Sequence, residues 1–329
     1  MLYPAPNGRM DIQDKANVSM EAPGSAEEVL VTSTLSAVLA IMFLLGMAGN
    51  LYVLVITMLS QTPVGSMCVH LVNLALADLL YLSTIPFVVS TYLARDWYFG
   101  DIGCRLLLSM DLFTMHASIY TLTAMSLERY QVIVQPLKSR ISRCYRKLTS
   151  LTIWLISLLL TLPMMCMMRL QDSQYGSGKK ICFPTWTPES FRHYLTVLFF
   201  TSILGPGLII VYLYSCLARA YWMSGQELRR SRRKLNQCVM LRIFAIIIVY
   251  WACFVPFWAW QLAKSYQYEL LGLATSAHIY LNFGVTCLTY ANSCVNPLLY
   301  TLLTRNYREH VTKRMREANT DVQRRTLGR

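Results

Sequence analysis

Residues 111–130 read DLFTMHASIYTLTAMSLERY. The stretch is long enough for a helix and mostly apolar, yet it opens on Asp111 and closes on Glu128, Arg129 and Tyr130. As a helix it places Asp111 and Arg129 on one face, about five turns and about 27 Å apart along the axis. Ser118 falls on nearly the same stripe. An ionisable group inside an apolar segment of this kind is expensive, and its default reading is functional.

The rest of the chain sets the solvent for that helix. Of 329 residues, 55% are hydrophobic and 14% charged, whereas a soluble domain carries about a quarter charged residues. The charges cluster, and long apolar runs lie between them. Seven runs, at roughly 30–58, 66–93, 104–134, 148–168, 194–219, 239–263 and 275–303, are long enough to cross a bilayer. In hydrocarbon the backbone must bond internally, so the expected fold is all-α, a seven-transmembrane helix bundle. Residues 1–29 are expected to form an N-terminal segment, 30–303 the membrane domain and the remainder a tail.

The net charge of +13 suggests nucleic acid, but its distribution does not. Lys138, Arg140, Arg143, Arg146 and Lys147 fill the loop after the third run, RRSRRK at 229–234 fills that after the fifth, and the tail is basic. All three lie on one side if the chain crosses seven times. Excess Lys and Arg marks the cytoplasmic side. The expectation is a plasma-membrane protein with an extracellular N-terminus, a cytoplasmic C-terminus and basic loops near anionic lipid. The first run then acts as an uncleaved signal anchor, because residues 1–29 lack the pattern of a cleaved signal peptide. NVS at 17–19 makes Asn17 a glycosylation acceptor on that outer segment. Of ten cysteines, only Cys104 and Cys182 fall on the outer side. An oxidising compartment permits a disulfide between them, and two free thiols are the plainer alternative.

Polar residues inside the runs are few. Asp78 lies in NLALADLLYL, and Asn292, Asn296 and Tyr300 recur at spacing four in the seventh run, with Ser293 adjacent. That spacing makes a single helical face. Pro297 interrupts the backbone ladder there, as Pro86, Pro163, Pro206 and Pro256 do in other runs.

In order along the chain stand GN at 49–50, LALAD ending at Asp78, Cys104, ERY at 128–130, Trp154, Pro206, CFVP at 253–256 and NPLLY at 296–300. One motif per run in this order resembles the class A, rhodopsin-like G-protein-coupled receptors over roughly residues 30–312. VNLALADLLYL, DWYFGD, WACFVPFWAWQL, TCLTYANSC and LLTRNYREH are most similar to the branch that binds peptides of the urotensin II type, with somatostatin and opioid receptors near it.

The resemblance implies a receptor and no enzyme, with a short amphipathic eighth helix at 304–315 and a cytoplasmic tail at 316–329. Its agonist would be a cyclic peptide of the urotensin II type, whose lysine would reach Asp111. Tyr290 would orient that carboxylate, and Met115, Phe257, Trp258 and Gln261 would line an aromatic pocket. The plainer alternative is an Asp111 that pairs only with Tyr290 and water. Asp78, Ser118, Asn292, Ser293 and Asn296 would hold an allosteric sodium ion in the inactive state, or a water network in its place. Arg129 would pair with Glu128 at rest and then turn to a heterotrimeric G protein, expected to be Gq acting through phospholipase C and calcium. Tyr214 and Tyr300 would steady the active arrangement, and Leu137 would insert into the G protein. Receptor kinases and arrestin would follow as partners. No resident cofactor is expected beyond the sodium ion.

Two departures stand out. Phe254 occupies the position where the family usually has Trp before Pro256, with Tyr250 at the preceding aromatic position. Asn236 stands where many relatives carry an acid that locks Arg129, which predicts ligand-free activity. A somatostatin-like receptor coupled to Gi is the neighbouring alternative, and a transporter or channel the alternative from another class. The seventh run lacks the lysine an opsin needs, and no zinc-protease H-E-x-x-H motif is present. An aspartyl protease would need Asp78 and Asp111 as a dyad, which nothing in the sequence positions.

Overall fold

The computed structural model describes residues 26–59, 68–94, 96–134, 142–172, 178–223, 230–267 and 280–298. Asn17, Leu137, Tyr300 and the segment 304–315 lie outside them, as do the side chains of Arg129 and Asn236.

Among the described residues nine helices build seven rods. α1 runs Ala26–Leu59, and α2 (Cys68–Leu82) continues through a break at Ser83 and Thr84 into α3 (Ile85–Ala94). α4 spans Gly100–Val134 and α5 Arg143–Met167. α6 (Pro188–Leu198) passes through a wide π turn at Phe199–Leu204 into α7 (Gly205–Met223). α8 covers Arg230–Gln267, and α9 covers 280–298. Between α5 and α6 lies an antiparallel hairpin, β1 (Met168–Asp172) with β2 (Lys180–Pro184), in which Leu170 faces Cys182.

Four of the rods are long and apolar enough by themselves to cross a membrane: Leu30–Met58, Val69–Ala94, Cys144–Met167 and Pro188–Ala220. The other three carry the polar groups. α4 holds Asp101, Arg105, Asp111, Glu128 and Arg129, α8 starts on a basic run, and α9 is rich in Asn, Ser and Thr. The polarity is turned inward. Asp78, Asn292, Ser293 and Asn296 are buried, whereas Leu44, Leu45, Leu159 and Tyr212 are exposed on the rim. In lipid, rods associate through close packing and interhelical hydrogen bonds rather than hydrophobic exclusion.

Both devices are visible. A Cβ on Gly49 of α1 would stand 3.0 Å from Pro297, so a side chain there would crowd the close approach to α9. Asn50 Nδ2 donates to Gly46 O at 2.9 Å and to Ser293 O at 3.0 Å, tying the same two rods. α4 occupies the middle and packs against α2, α5 and α7. Residues 114–119 of α4 are all buried.

The prolines act locally. Pro206 has no N–H to give the carbonyl four residues back, which is that of Ser202. The chain widens there into the π turn, and the Tyr250 hydroxyl of α8 donates to Ser202 O at 3.1 Å and Ile203 O at 3.4 Å. Freed carbonyls in a membrane rod are satisfied by a neighbouring rod. The buried core around them joins Ile119, Leu122, Tyr250, Phe254, Trp258 and Met115.

Candidate functional site

One end of the bundle is closed by the hairpin. Cys104, in the first turn of α4, is bonded to Cys182 of β2, with Cα atoms 5.5 Å apart. Asp96 Oδ1 accepts the backbone N–H groups of Trp97 and Lys180, each at 2.8 Å. Asp101 Oδ1 accepts the Leu170 N–H at 3.1 Å, and its Oδ2 takes Arg105 Nε at 2.8 Å. Gly100 adopts φ 66°, where a side chain would be strained, and its carbonyl accepts Trp97 Nε1 at 2.9 Å. Two carboxylates and one disulfide therefore hold the hairpin to the turn between α3 and α4. The backbone N–H of Lys180 first, then that of Trp97, hold the Asp96 carboxyl below the usual carboxylate range, and Arg105 does the same to Asp101.

Beneath this cap stands Asp111. Its Oδ1 is buried and makes no hydrogen bond among the described residues. Thr84, at the break between α2 and α3, lies beside the Asp111 carboxyl, and the Thr84 hydroxyl is 2.9 Å from the Tyr290 hydroxyl of α9. Tyr81 stacks on Tyr290 with ring centroids 4.4 Å apart, and its hydroxyl meets Thr289 Oγ1 at 2.6 Å. This amends the expected Asp111–Tyr290 contact: Tyr290 is bonded to Thr84, which stands next to the acid. Thr84 and Tyr81 escaped the sequence reading. Their signal was Pro86, which breaks the helix at Thr84 and turns that side chain inward.

The other expected pocket residues lie on α4 and α8. Met115 and the fully buried Trp258 share one apolar cluster, and Phe257 meets Trp258 edge-on at 6.0 Å. Trp258 Nε1 has no hydrogen-bond partner among the described residues. Gln261 is buried one turn on. Lys264, also missed, is buried on the face that Phe257 and Gln261 share, and it donates to Asn282 Oδ1 of α9 at 2.8 Å.

Midway along the bundle, four of the five deeper polar residues meet. Asp78 Oδ1 accepts Ser293 Oγ at 2.8 Å and Ser118 Oγ at 3.4 Å, and Asp78 Oδ2 accepts Asn296 Nδ2 at 2.9 Å. Asn292 is buried, but its Nδ2 makes no hydrogen bond among the described residues, so it flanks the cluster without joining it. Asp78 and Asp111 belong to separate groups and form no dyad among these contacts. One carboxylate among hydroxyl and amide oxygens is a donor set that suits a small hard cation.

At the far end Glu128 has neighbours on two other rods, and its expected pairing with Arg129 falls on a side chain outside the described residues. Glu128 Oε1 accepts Arg146 Nε at 2.7 Å, and His70 Nε2 lies 3.4 Å from Glu128 Oε2. α2 and α5 thus supply the partners of this acid. Arg146 and His70 face Glu128 across the interfaces of α4 with α5 and α2. Phe254 is buried beside Tyr250 at 5.3 Å between centroids, in contact with the cluster that holds Trp258. Pro256 lies inside α8, Pro297 is buried against Gly49, and Tyr130 is half-buried. Tyr214 packs with Ile210 on α7, next to Trp251.

The sequence matches the family model for the 7 transmembrane receptor (rhodopsin family) over residues 49–300. It is 48% identical to the urotensin-2 receptor of Homo sapiens over 313 residues, which cover 94% of this chain and 79% of that protein. It is 49% identical to the urotensin-2 receptor of Macaca mulatta over 296 residues, covering 89% and 75%. The somatostatin receptor type 4 of Rattus norvegicus is 30% identical over 305 residues, covering 90% and 75%. With one motif on each rod, an inward polar axis and a capped end, the chain belongs to the rhodopsin family of seven-transmembrane receptors.

Proposed function

We propose that this receptor is switched by a cyclic peptide of the urotensin II type and that it signals through Gq to phospholipase C and calcium. As a member of its family it is a multi-pass receptor of the plasma membrane and not an enzyme. The capped end is then the extracellular one, and the end carrying Glu128 and Arg129 meets the G protein, with receptor kinases and arrestin acting later.

The observation that carries the ligand reading is the Asp111 carboxylate. The residue is partly exposed, and its buried Oδ1 has no hydrogen bond among the described residues. A ligand ammonium group reaching it would form a charge-assisted bond in a partly desolvated site. Met115, Phe257, Trp258 and Gln261 offer the aromatic and amide surface around such a lysine. Thr84 and Tyr290 keep the acid oriented. A sodium ion at Asp78, Ser118, Ser293 and Asn296, with Asn292 beside them, would favour the inactive state. An ion shifts the equilibrium only if it binds one state more tightly.

Relatives named for urotensin-2 are 48% and 49% identical and the somatostatin relative 30%, which favours the first peptide class. The test is a panel of urotensin II and somatostatin on cells expressing the receptor, read by calcium release and by inhibition of cyclic AMP. Calcium release by urotensin II at lower concentration than by somatostatin is the expected outcome. A somatostatin response confined to cyclic AMP would replace this reading with a Gi-coupled one. Ion current or uptake without G protein would replace it with a transporter or channel.

A further inference from the structure

At the capped end, neighbouring rods are joined by polar ties. Tyr194 of α6 donates to Leu160 O of α5 at 2.8 Å, and Trp260 and Lys264 of α8 donate to Asn282 Oδ1 of α9 at 3.2 and 2.8 Å. The tie between α6 and α8 is Tyr266, in the last turn of α8. Arg192 and Thr196 lie four residues apart on α6, so they share a face. The Tyr266 hydroxyl is 2.9 Å from Thr196 Oγ1, and Arg192 Cζ lies 5.1 Å from the centre of the Tyr266 ring. A cation over a ring face is attracted by the ring's quadrupole. Proton accounting sets the direction of the hydroxyl bond. Thr196 has a single hydroxyl proton and donates it to Arg192 O at 2.8 Å, so Tyr266 is the donor to Thr196. Arg192 Nε is buried and makes no hydrogen bond among the described residues.

Below Tyr266 the seam between the two rods is apolar. Leu262, one turn inward on α8, and Val255 pack against the cluster that holds Leu195 and Leu198 of α6 together with Met115 and Trp258. Tyr266 therefore lies over the joint between two walls of the proposed ligand pocket. It is 51% exposed, so its bond is open to competition from water and is weak enough to break while the rods stay folded.

We infer that Tyr266 is a positioning residue for peptide entry and exit: it straps the outer end of α8 to α6 and limits how far the two walls part. The strap acts on the pocket mouth and not by touching the peptide. The kinetic measurement below rests on the proposed peptide ligand; the strap itself does not.

The test uses the full-length receptor with Tyr266→Phe, Thr196→Val and the double variant. Tyr266→Phe keeps the ring under Arg192 and removes the donor, and Thr196→Val removes the acceptor. In the first measurement, association and dissociation of labelled urotensin II are followed on each receptor. A strap that must open in both directions raises both barriers, so its loss should speed both rates by about two- to tenfold and leave Kd within about threefold. The double variant should match the single ones, because all three remove the same bond. The second measurement uses no peptide. Gln261→Cys is added to each receptor, and its modification by a small charged methanethiosulfonate is timed against the same receptor without that cysteine. Modification should quicken several-fold when the strap is removed. A role in folding alone would lower the melting temperature and leave these rates unmoved. Faster dissociation with unchanged association would make Tyr266 a peptide contact and overturn the proposal. So would unchanged rates in both measurements, or effects of Tyr266→Phe and Thr196→Val that add. If urotensin II does not bind the wild type, the proposed function fails, and the cysteine measurement still decides whether the strap exists.

Discussion

Asn296 and Asp78 are 218 positions apart, yet the Asn296 amide donates to the Asp78 carboxylate at 2.9 Å in the middle of the bundle. Ser293 and Ser118 complete the arrangement from α9 and α4. An Asp78→Asn variant keeps the shape and loses the charge. If this cluster binds sodium in the inactive state, replacing sodium by choline should raise agonist affinity in the wild type and leave Asp78→Asn unchanged. Equal sodium sensitivity in both proteins would remove the ion from this site.

Asp111 carries the ligand reading. A hydrogen bond to a charged group is worth about 1.5–3 kcal/mol, so Asp111→Asn should weaken agonist potency by about 10- to 100-fold. Replacing the peptide's lysine by norleucine should cost the same in the wild type and almost nothing further in the variant. Competition binding on both receptors, corrected for surface expression, gives the coupling. Two additive losses would mean the lysine and the acid do not meet.

The hairpin anchor makes a prediction about pH. Backbone N–H groups hold the Asp96 carboxyl below its ordinary value, so its contribution is present above the unfolded range near about 3.9 and is lost as pH falls through the lower folded value. Between neutral pH and pH about 5 the hairpin should therefore be unaffected. Protection of the Lys180 amide, relative to its intrinsic exchange rate at each pH, should be high across that window and fall only in stronger acid. Asp96→Asn, a weaker acceptor, should exchange faster at neutral pH. An amide already fast in the wild type at neutral pH would exclude the Asp96 anchor.

Tyr250 offers a one-atom test of the bond between α8 and the π turn. Its hydroxyl is the donor to the Ser202 and Ile203 carbonyls. Tyr250→Phe keeps the ring in the core and should destabilise the ligand-free receptor by about 0.5–1.5 kcal/mol. A lower melting temperature with unchanged surface expression is the expected result; an identical melting curve would show that another group satisfies those carbonyls.

Asn236 stands where many relatives place an acid facing Arg129, which leads to a prediction from sequence. Asn236→Glu should reduce ligand-free signalling relative to the wild type at equal surface expression. Unchanged output would mean that no such lock operates in this receptor.

Apolar run lengths and clustered charges were enough to specify an all-α membrane bundle and to set Cys104 and Cys182 apart as the outer-side cysteines, while the order of short motifs brought in, through the family resemblance, Asp78, Ser118, Ser293 and Asn296 as one group. The bundle is legible because a bilayer admits few backbone solutions and because helical spacing fixes which residues share a face. Partners across rods that no family motif marks are not. Nothing along α4 shows that Glu128 meets Arg146 and His70 on other rods. Thr84 reaches the Asp111 site where the helix breaks ahead of Pro86, and Lys264 is buried where Asn282 of α9 accepts its hydrogen bond. Spacing along one helix sets a direction; which group waits in that direction depends on the rotation and depth of the neighbouring rod, and those come from packing alone.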